Sequence, residues 1–445
     1  MNDKKKLLKT FIKISVLTII FIAGAFPISQ NTAKQLKDFY SEPPAFLRAS
    51  LSLENEYSYL YDLKQVDSAV HDLLEDWRIA GASVAIAREG RLVYAKGFGY
   101  ADKETEEAVS PNHVFRIASV SKLVTAVAIM KLSEEGKLDL DDNVFGEEGI
   151  LNDSIYLEIS DKKMKEISIR DLLYHQGGWS SRTADLMFEP VMVAKAMNTP
   201  APATPETIIR YALKKRLPYK PGTVYSYSNL GYTILGKVIE KVSGFGYEEY
   251  VSDYVLEPLG IYGMQIGGNL KENRCANEVT YYDYEGSGLR LSCYGTGEMV
   301  PKTYGGTNIS ALSAAGGWVA SPAQMMQLLM AIDGFESNPD ILSEESIKEM
   351  TTPAKPIRTG MGWMYINDDD WVRTGTLAGS SALLVRRDDE TSYMVVVNTS
   401  TWTGPRFTGE IKRTMEKALE EVDSWPAHDL FEKKVFEVSS SSQIF

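Results

Sequence analysis

The pattern of apolar and polar residues predicts strands near both ends of the chain. Two short apolar runs, 83–87 and 91–95, flank Glu89-Gly90 and predict a β-hairpin. Helical spacing of apolar residues predicts helices over Gln65–Trp77 and Phe407–Val422. Four more strands are predicted toward the C-terminus, at Gly362–Ile366, Asp370–Thr376, Ser381–Arg387 and Tyr393–Asn398.

The middle of the chain, about residues 115–330, is mostly helical in pattern and has loops rich in Gly, Pro and Asn. Strands at both ends with helices between them predict an α+β fold, an α/β sandwich. In that fold one antiparallel sheet is assembled from distant segments, helices flank it, and a mostly helical insertion packs beside it. We expect a substrate cleft between the two parts.

The N-terminal residues differ from the rest. Five lysines precede an apolar run from Ile14 to Phe26, followed closely by polar sequence. This order predicts that residues 1–28 are a signal peptide or an N-terminal membrane anchor and that 29–64 form a stalk. The protein is then exported, either periplasmic or extracellular, or anchored with its folded domain outside the cytoplasm. The folded domain is predicted at 65–428, with a C-terminal tail at 429–445.

Charge and composition restrict the kinds of binding partner that the protein can have. The formal net charge is −13, which argues against an extended nucleic-acid interface. Membrane association is expected only through the N-terminal segment. The two cysteines, Cys275 and Cys293, are either one disulfide or two unrelated thiols. The four histidines show no metal-ligand spacing, so no metal and no cofactor are predicted.

Ser119-Val120-Ser121-Lys122 is the first candidate for chemistry, because it precedes an apolar helical pattern. Residues three apart on a helix share a face, so Lys122 can reach the Ser119 hydroxyl. Serine needs a neighbouring base to act as a nucleophile, and a lysine becomes one when burial or nearby positive charge lowers its pKa. The helix N-terminus adds free N–H groups where an oxyanion forms. The pattern is typical of acyl transfer.

Two further segments complete the candidate site. Tyr227-Ser228-Asn229 supplies a phenol that can carry protons and an amide that can orient Lys122 and a substrate carbonyl. Arg373-Thr374-Gly375-Thr376 lies on a predicted strand and supplies a cation able to grip a substrate carboxylate.

Each segment has a second match in the chain, so no single motif is decisive. The competing matches are Ser160–Lys163 in a polar, Lys-rich stretch, Tyr365–Asn367 on a predicted strand, and Arg358–Gly360 before that strand. The order of the three preferred segments carries the argument.

With these motifs in order, the chain resembles the β-lactamase-related serine hydrolases: class C β-lactamases, D-alanyl-D-alanine carboxypeptidases, D-aminopeptidases and related esterases. The resemblance implies a β-lactamase/transpeptidase-like fold with Ser119 as the acylated nucleophile, Lys122 as its activating partner and Tyr227 as proton shuttle. Asn229 contacts substrate, and the N–H groups of Ser119 and Thr376 form an oxyanion hole. Other matching pieces are Phe98–Asp102, Ile169–Gly178, Pro258–Gly260, Ala315–Trp318 and Gly360–Trp363.

Arg373 departs from the family pattern, since relatives carry Lys or His at that place. Arginine keeps the charge but is longer, planar and permanently protonated. The predicted function is hydrolysis of an amide or ester through a Ser119 acyl-enzyme, with a β-lactam, a D-amino-acid peptide or an ester as substrate. The alternative is a weakly active or inactive penicillin-binding or sensor protein of the same fold. The partner is a small-molecule or peptide substrate, and the oligomeric state is left open.

Overall fold

A seven-stranded antiparallel sheet forms the centre of the molecule. The computed structural model describes Leu53, 63–180, 182, 185–354 and 357–431. The strands of this sheet are β1 Gly81–Arg88, β2 Arg91–Asp102, β3 Glu107–Ala108, β9 Tyr365–Ile366, β10 Asp370–Leu377, β11 Ser380–Arg387 and β12 Thr391–Val397. Their order across the sheet is β3-β2-β1-β12-β11-β10-β9. The short strands β4 Phe115–Arg116, β5 Gln265–Ile266, β6 Leu289–Leu291, β7 Met299–Pro301 and β8 Trp318–Ala320 lie outside it.

The sheet joins the two ends of the chain. Strand β1 pairs with β12, placing Ala85 opposite Met394, and β10 pairs with β11, placing Thr374 opposite Leu383. The helices are α1 Lys64–Trp77, α2 Ser121–Glu134, α3 Ile169–Leu173, α4 Pro190–Met197, α5 Pro205–Leu213, α6 Asn229–Ser243, α7 Tyr247–Val251, α8 Ile309–Gly316, α9 Pro322–Leu329, α10 Glu344–Thr351 and α11 Phe407–Glu420.

Both faces of the sheet are covered, which explains why its central strands are almost wholly apolar. Side chains alternate between the faces along each strand. On one face, Val84 and Val395 pack with α1 and α11 in one apolar cluster. On the other face, Ala85 and Val396 pack with the helical insertion in a larger cluster. The result is a three-layer sandwich.

Helix α2 lies at the centre of the larger layer, and Ser119 lies in the turn directly before it. Residues from Leu123 to Met130 are buried on every side of the helix. A helix that is apolar all round is a core helix rather than a surface one. The position of Ser119 is therefore fixed by the best-packed part of the molecule.

The predicted α+β fold is confirmed, and most element boundaries agree with the prediction within one or two residues. Strand β2 is an exception, since it continues to Asp102, seven residues past the predicted end. Helix α1 begins at Lys64, one residue before the predicted start, and α11 ends at Glu420 instead of Val422. The strand predicted at Gly362–Ile366 is shorter than expected. Only Tyr365–Ile366 pairs, because Gly362 has a positive φ of 80° that an extended strand does not allow.

Several predictions concern the chain ends and the cysteines. The predicted signal peptide or anchor at 1–28 lies outside the described residues, as does almost all of the 29–64 stalk. Among the helices that the structure describes, none is both long and apolar enough to cross a bilayer. At the C-terminus, packing continues past the predicted boundary at 428, because Leu430 and Phe431 are buried. Cys275 and Cys293 are both free thiols, which settles the open choice between a disulfide and two thiols.

Candidate active site

Ser119 is presented by a tight turn at the start of α2. A 3₁₀ turn over Ala118–Val120 precedes the helix, and Ala118 has a φ of 49°, a left-handed conformation that costs energy for a residue with a Cβ. Strand β4 pairs with β8 just before this turn, and the Ile117 N–H donates to the Trp318 carbonyl. From His113 to Met130, Ser119 is the one residue that is not buried. The turn therefore exposes the hydroxyl and little else.

Lys122 lies one turn along α2 and is completely buried. Its Nζ donates to Ser119 Oγ at 3.3 Å, to Asn229 Oδ1 at 2.7 Å and to the Ala315 carbonyl at 2.5 Å. Burial lowers the pKa of Lys122 to about 8, and the Arg373 charge acts in the same direction. A buried amine with such a pKa can exchange a proton near neutral pH.

Tyr227 is the second side chain that contacts the Ser119 hydroxyl. Its hydroxyl donates to Ser119 Oγ at 2.7 Å, and the Lys122 Nζ lies 4.9 Å from the centre of its ring. Burial by itself raises the pKa of the Tyr227 phenol, but the positive charges of Lys122 and Arg373 outweigh burial and bring the pKa to about 8. The phenol is thus held between two cations and next to the serine oxygen.

Arg373 faces these groups instead of open solvent. Its side chain is 1% exposed. Nε donates to the Ser119 carbonyl at 2.7 Å, and Nη2 donates to the Tyr227 hydroxyl at 3.3 Å. The predicted grip on a substrate carboxylate is not what these contacts show. They show a cation that fixes the Ser119 turn and faces the phenol.

Asn229 is held from two sides. It is the first residue of α6, whose N-cap is Ser228. Its Oδ1 accepts from Lys122 Nζ, whereas its backbone N–H and its Nδ2 both donate to Asp185 Oδ2 at 3.0 Å. Asp185 fixes the orientation of the amide, so that the oxygen points to the lysine.

Strand β10 forms the opposite wall. Alternate residues point to opposite faces of a strand, so Arg373 and Gly375 face the Ser119 turn together. A Cβ on Gly375 would lie 2.3 Å from the Ile117 carbonyl oxygen and 2.9 Å from the Ser119 nitrogen, too close for any residue but glycine. Thr374, Gly375 and Thr376 line a cleft of about 290 Å³. The cleft also contains Ser119, Tyr227, Asn229, Phe188 and Leu312.

The eight predicted site residues therefore line one cleft or directly support its walls. The competing matches do not: Ser160, Arg358 and Tyr365 are all exposed at the surface. The preferred copy of each motif is thus the copy that lies at the cleft.

Sequence reasoning missed three supporting groups. Asp185 belongs to none of the recognised motifs. The Ala315 carbonyl is a backbone group, which every residue has, so the sequence cannot indicate its role. The family resemblance implies only a structural role for His175, and this residue is buried with its ring 4.4 Å from that of Tyr227. Burial, with Lys122 and Arg373 nearby, pushes the pKa of His175 well below its usual value, so it supports the phenol as a neutral ring.

The model of the Beta-lactamase family matches residues 66–413, most of the chain. The chain belongs to this family. This chain is 30% identical to Protein flp of Staphylococcus aureus strain MW2 over 202 residues. The match covers 44% of this chain and 36% of flp, about a third of the length of flp.

Longer matches extend over most of the domain. A putative penicillin-binding protein, PbpX of Bacillus subtilis strain 168, is 26% identical over 324 residues, 72% of this chain and 71% of that protein. Among solved structures, the octameric penicillin-binding protein homologue of Pyrococcus abyssi superposes with a TM-score of 0.60 at 28% identity, covering 80% of this chain and 77% of that one. The D-amino acid amidase of Ochrobactrum anthropi SV3, at 21% identity and a TM-score of 0.61, shares the fold over 80% of this chain and 97% of its own.

Proposed function

We propose that this Beta-lactamase family member is an exported serine hydrolase that cleaves an amide or ester bond through an acyl-enzyme at Ser119. The contact between the Tyr227 hydroxyl and Ser119 Oγ at 2.7 Å carries the proposal, because both Lys122 and Arg373 surround that contact with positive charge. Export rests on the N-terminal sequence pattern.

In the first step the Ser119 oxygen attacks the substrate carbonyl and gives its proton to the Tyr227–Lys122 pair. The Ser119 and Thr376 N–H groups stabilise the oxyanion. The close approach of Gly375 to Ser119 N supports this pairing, since it brings β10 against the nucleophile turn. The pair then protonates the leaving amine or alcohol. In the second step the pair takes a proton from a water molecule whose oxygen attacks the acyl carbonyl. The bond between that carbon and the Ser119 oxygen then breaks, the pair returns the proton to Ser119, and the carboxylic acid leaves.

Replacing Ser119 with alanine tests the nucleophile. We expect S119A to lose covalent labelling by a penicillin and by an activated ester, and to lose turnover by ~10⁴-fold or more, because the attacking oxygen is absent. Intact-mass spectrometry and a chromogenic ester assay measure the two losses. Ser160→Ala is the matched control, because this exposed serine belongs to a second Ser-x-x-Lys match.

The lifetime of the adduct separates the enzyme from a sensor. A transient adduct on Ser119 that decays with product release supports the proposal. A permanent adduct with every acyl donor indicates an acylated sensor, and turnover that survives S119A discards the mechanism.

A further inference from the structure

A second cavity lies apart from the catalytic cleft, where the C-terminal end of α1 meets the segment that follows β12. It has a volume of about 710 Å³, a size typical of small-molecule sites. None of the eight predicted site residues lines it. Four aromatic side chains do, namely Trp77, Tyr282, Tyr284 and Trp402. The cavity is therefore a candidate binding site that the acyl-enzyme mechanism does not use.

Trp402 is the most exposed of these aromatic residues, with 76% of its surface open to solvent. No other large apolar side chain that the structure describes is as exposed. Its ring stacks on that of Trp77, with 6.3 Å between the ring centres and 21° between the planes. Trp77 packs in turn on Phe407, the buried first residue of α11, at 4.9 Å. The core thus supports the indole pair, while most of the Trp402 ring is left for a ligand.

Tyr282 is held at the cavity by three hydrogen bonds. Its backbone N–H donates to the Asn398 carbonyl and its own carbonyl accepts from the Ser400 N–H, both at 2.9 Å. Its hydroxyl accepts from the Lys103 backbone N–H at 2.7 Å. A ring that is already fixed loses little conformational entropy when a ligand packs on it. This part of the cavity is therefore formed before any ligand binds.

Charged groups of both signs surround the aromatic rings. The carboxylates are Asp76, Asp283 and Glu285, and the cations are Arg78 and Lys103. Arg78 forms an ion pair with Glu285 at 3.2 Å, and the Lys103 ammonium lies 5.2 Å from the centre of the Tyr282 ring. Because carboxylates outnumber cations, the cavity disfavours a phosphate or sulfate group. A wholly apolar ligand is disfavoured as well, because it would remove water from these charged groups without replacing its hydrogen bonds.

A sugar ring suits both parts of this lining. Many pyranose rings have a face of C–H groups that packs on an aromatic ring, and their hydroxyl groups donate to carboxylates and accept from ammonium and guanidinium groups. Hydrogen bonds to charged groups are roughly twice as strong as those between neutral groups. The combination of an open indole ring with charged hydrogen-bonding groups therefore favours a ligand that is apolar on one face and rich in hydroxyl groups at its edge.

We propose that this cavity binds a neutral oligosaccharide, with one sugar ring stacked on Trp402. The oligosaccharide is either free or part of a polysaccharide, because both present the same chemistry. The inference goes beyond the proposed function and does not depend on Ser119. A contact between proteins through Trp402 is the competing explanation.

Isothermal titration calorimetry of the full chain tests the site, with cellohexaose, maltohexaose, mannohexaose and chitohexaose as probes. We expect at least one probe to bind. Trp402→Ala should weaken that binding at least about tenfold, because a large apolar contact is lost. Trp402→Phe keeps an aromatic ring and should retain part of the affinity. Tyr262→Ala is the control and should bind like the parent, because it removes an aromatic residue that is 44% exposed but lies outside the cavity.

Sedimentation with insoluble cellulose, starch, mannan and chitin separates the two sources of sugar. Retention on the polymer that corresponds to the bound hexasaccharide, with loss of retention in Trp402→Ala, supports the site and indicates a polysaccharide ligand. Binding of the hexasaccharide without retention on the polymer supports the site and indicates a free oligosaccharide.

The inference is overturned if none of the four probes binds the parent, or if Trp402→Ala binds the probe as tightly as the parent does. A change of oligomeric state in Trp402→Ala, measured by light scattering, together with no sugar binding by the parent assigns Trp402 to a protein contact instead. Ser119→Ala should bind the probe like the parent, so failure of the acyl-enzyme mechanism would leave this inference intact. Unchanged turnover of an activated ester by Trp402→Ala shows that the variant is folded.

Discussion

Lys122 and Tyr227 contact the Ser119 hydroxyl oxygen, and Arg373 contacts the Ser119 carbonyl and the Tyr227 hydroxyl. Arg373 is permanently charged, so it lowers the pKa of both neighbours while supplying no proton itself. The neutral oxygens of Asn229 and Ala315 accept hydrogen bonds from the lysine, and the Asp185 charge behind Asn229 partly opposes the lowering of the Lys122 pKa. The pair Tyr227–Lys122 is therefore prepared to release a proton near pH 8.

We expect kcat/KM to rise with pH and to level off above about pH 8, because the base must be deprotonated to accept the serine proton. The pair titrates as a unit, so the profile reports a joint value. A stopped-flow acylation assay from pH 5.5 to 9.5 measures it. A rate that falls across this range contradicts the assignment of the base.

Arg373→Ala should move the midpoint of that profile to higher pH, since removing the cation raises the pKa of both Tyr227 and Lys122. A midpoint higher by one pH unit lowers the deprotonated fraction at pH 7 by about tenfold. Neutral and carboxylate-bearing esters should lose activity equally, because Arg373 contacts the catalytic groups. Arg373→Lys, which keeps the charge, is the control and should keep its midpoint near that of the parent. Selective loss on carboxylate-bearing esters would instead favour a carboxylate grip, as the sequence predicts.

At the scale of elements, the site depends on how β10 crosses the turn before α2. Helix α2 is fixed by burial on all sides, and β10 is fixed by its ladder with β11. Gly375 is the point where the two elements meet, with no room for a side chain. The proposed oxyanion site thus depends on two packed elements and not on one loop.

Gly375→Ala tests this contact. The added methyl group would lie 2.3 Å from the Ile117 carbonyl oxygen, so β10 must move away from the nucleophile turn. We expect a loss of stability of about 1–3 kcal/mol and a larger loss of acylation rate. Urea unfolding and burst kinetics measure both. Gly409→Ala in α11, where a Cβ meets nothing within 4 Å, is the matched control and should be neutral or stabilising. Normal acylation by Gly375→Ala would show that the close approach is not needed.

At the scale of the whole molecule, the sheet pairs strands from both ends of the chain and lies between two helical layers. The α1–α11 layer covers one face, and the insertion with the site covers the other. Some charged groups are buried by this packing and tie global stability to pH. Asp333 is one of them, with 3% exposure just after α9.

Burial raises the pKa of Asp333 to about 7 in the folded protein, above the value near 4 in the unfolded chain. The favourable contribution of the protonated carboxyl to the free energy of unfolding is therefore fully present below about pH 4 and is lost as the pH rises through 7. Asp333→Asn keeps an oxygen to accept from the Phe335 N–H but carries no charge. We expect this variant to be more stable than the parent at pH 8, by on the order of 2–4 kcal/mol, and to match it more closely at pH 4. Urea unfolding at both values measures this, with the exposed Asp423→Asn as control. A variant that is less stable at pH 8 contradicts the burial argument.

The sequence by itself determined the elements and the motif copies. Apolar periodicity located α1, α11 and the central strands, because a strand or helix buries its apolar residues at a fixed spacing. The chain order of Ser119, Tyr227 and Arg373 pointed to one candidate site, although more than 250 residues separate its ends. The spacing of apolar residues and of motif residues depends only on the local geometry of a helix or strand, so it can be read directly from the sequence.

Only the tertiary structure decided what each group does. Nothing in the residue Arg373 says whether it faces solvent or Tyr227, because that depends on the register of β10 over the Ser119 turn. Asp185 stood outside every motif, and its contact with Asn229 is made by a segment 44 residues away. Long-range contacts, burial and the pKa shifts they cause depend on how distant elements pack, which local spacing does not encode.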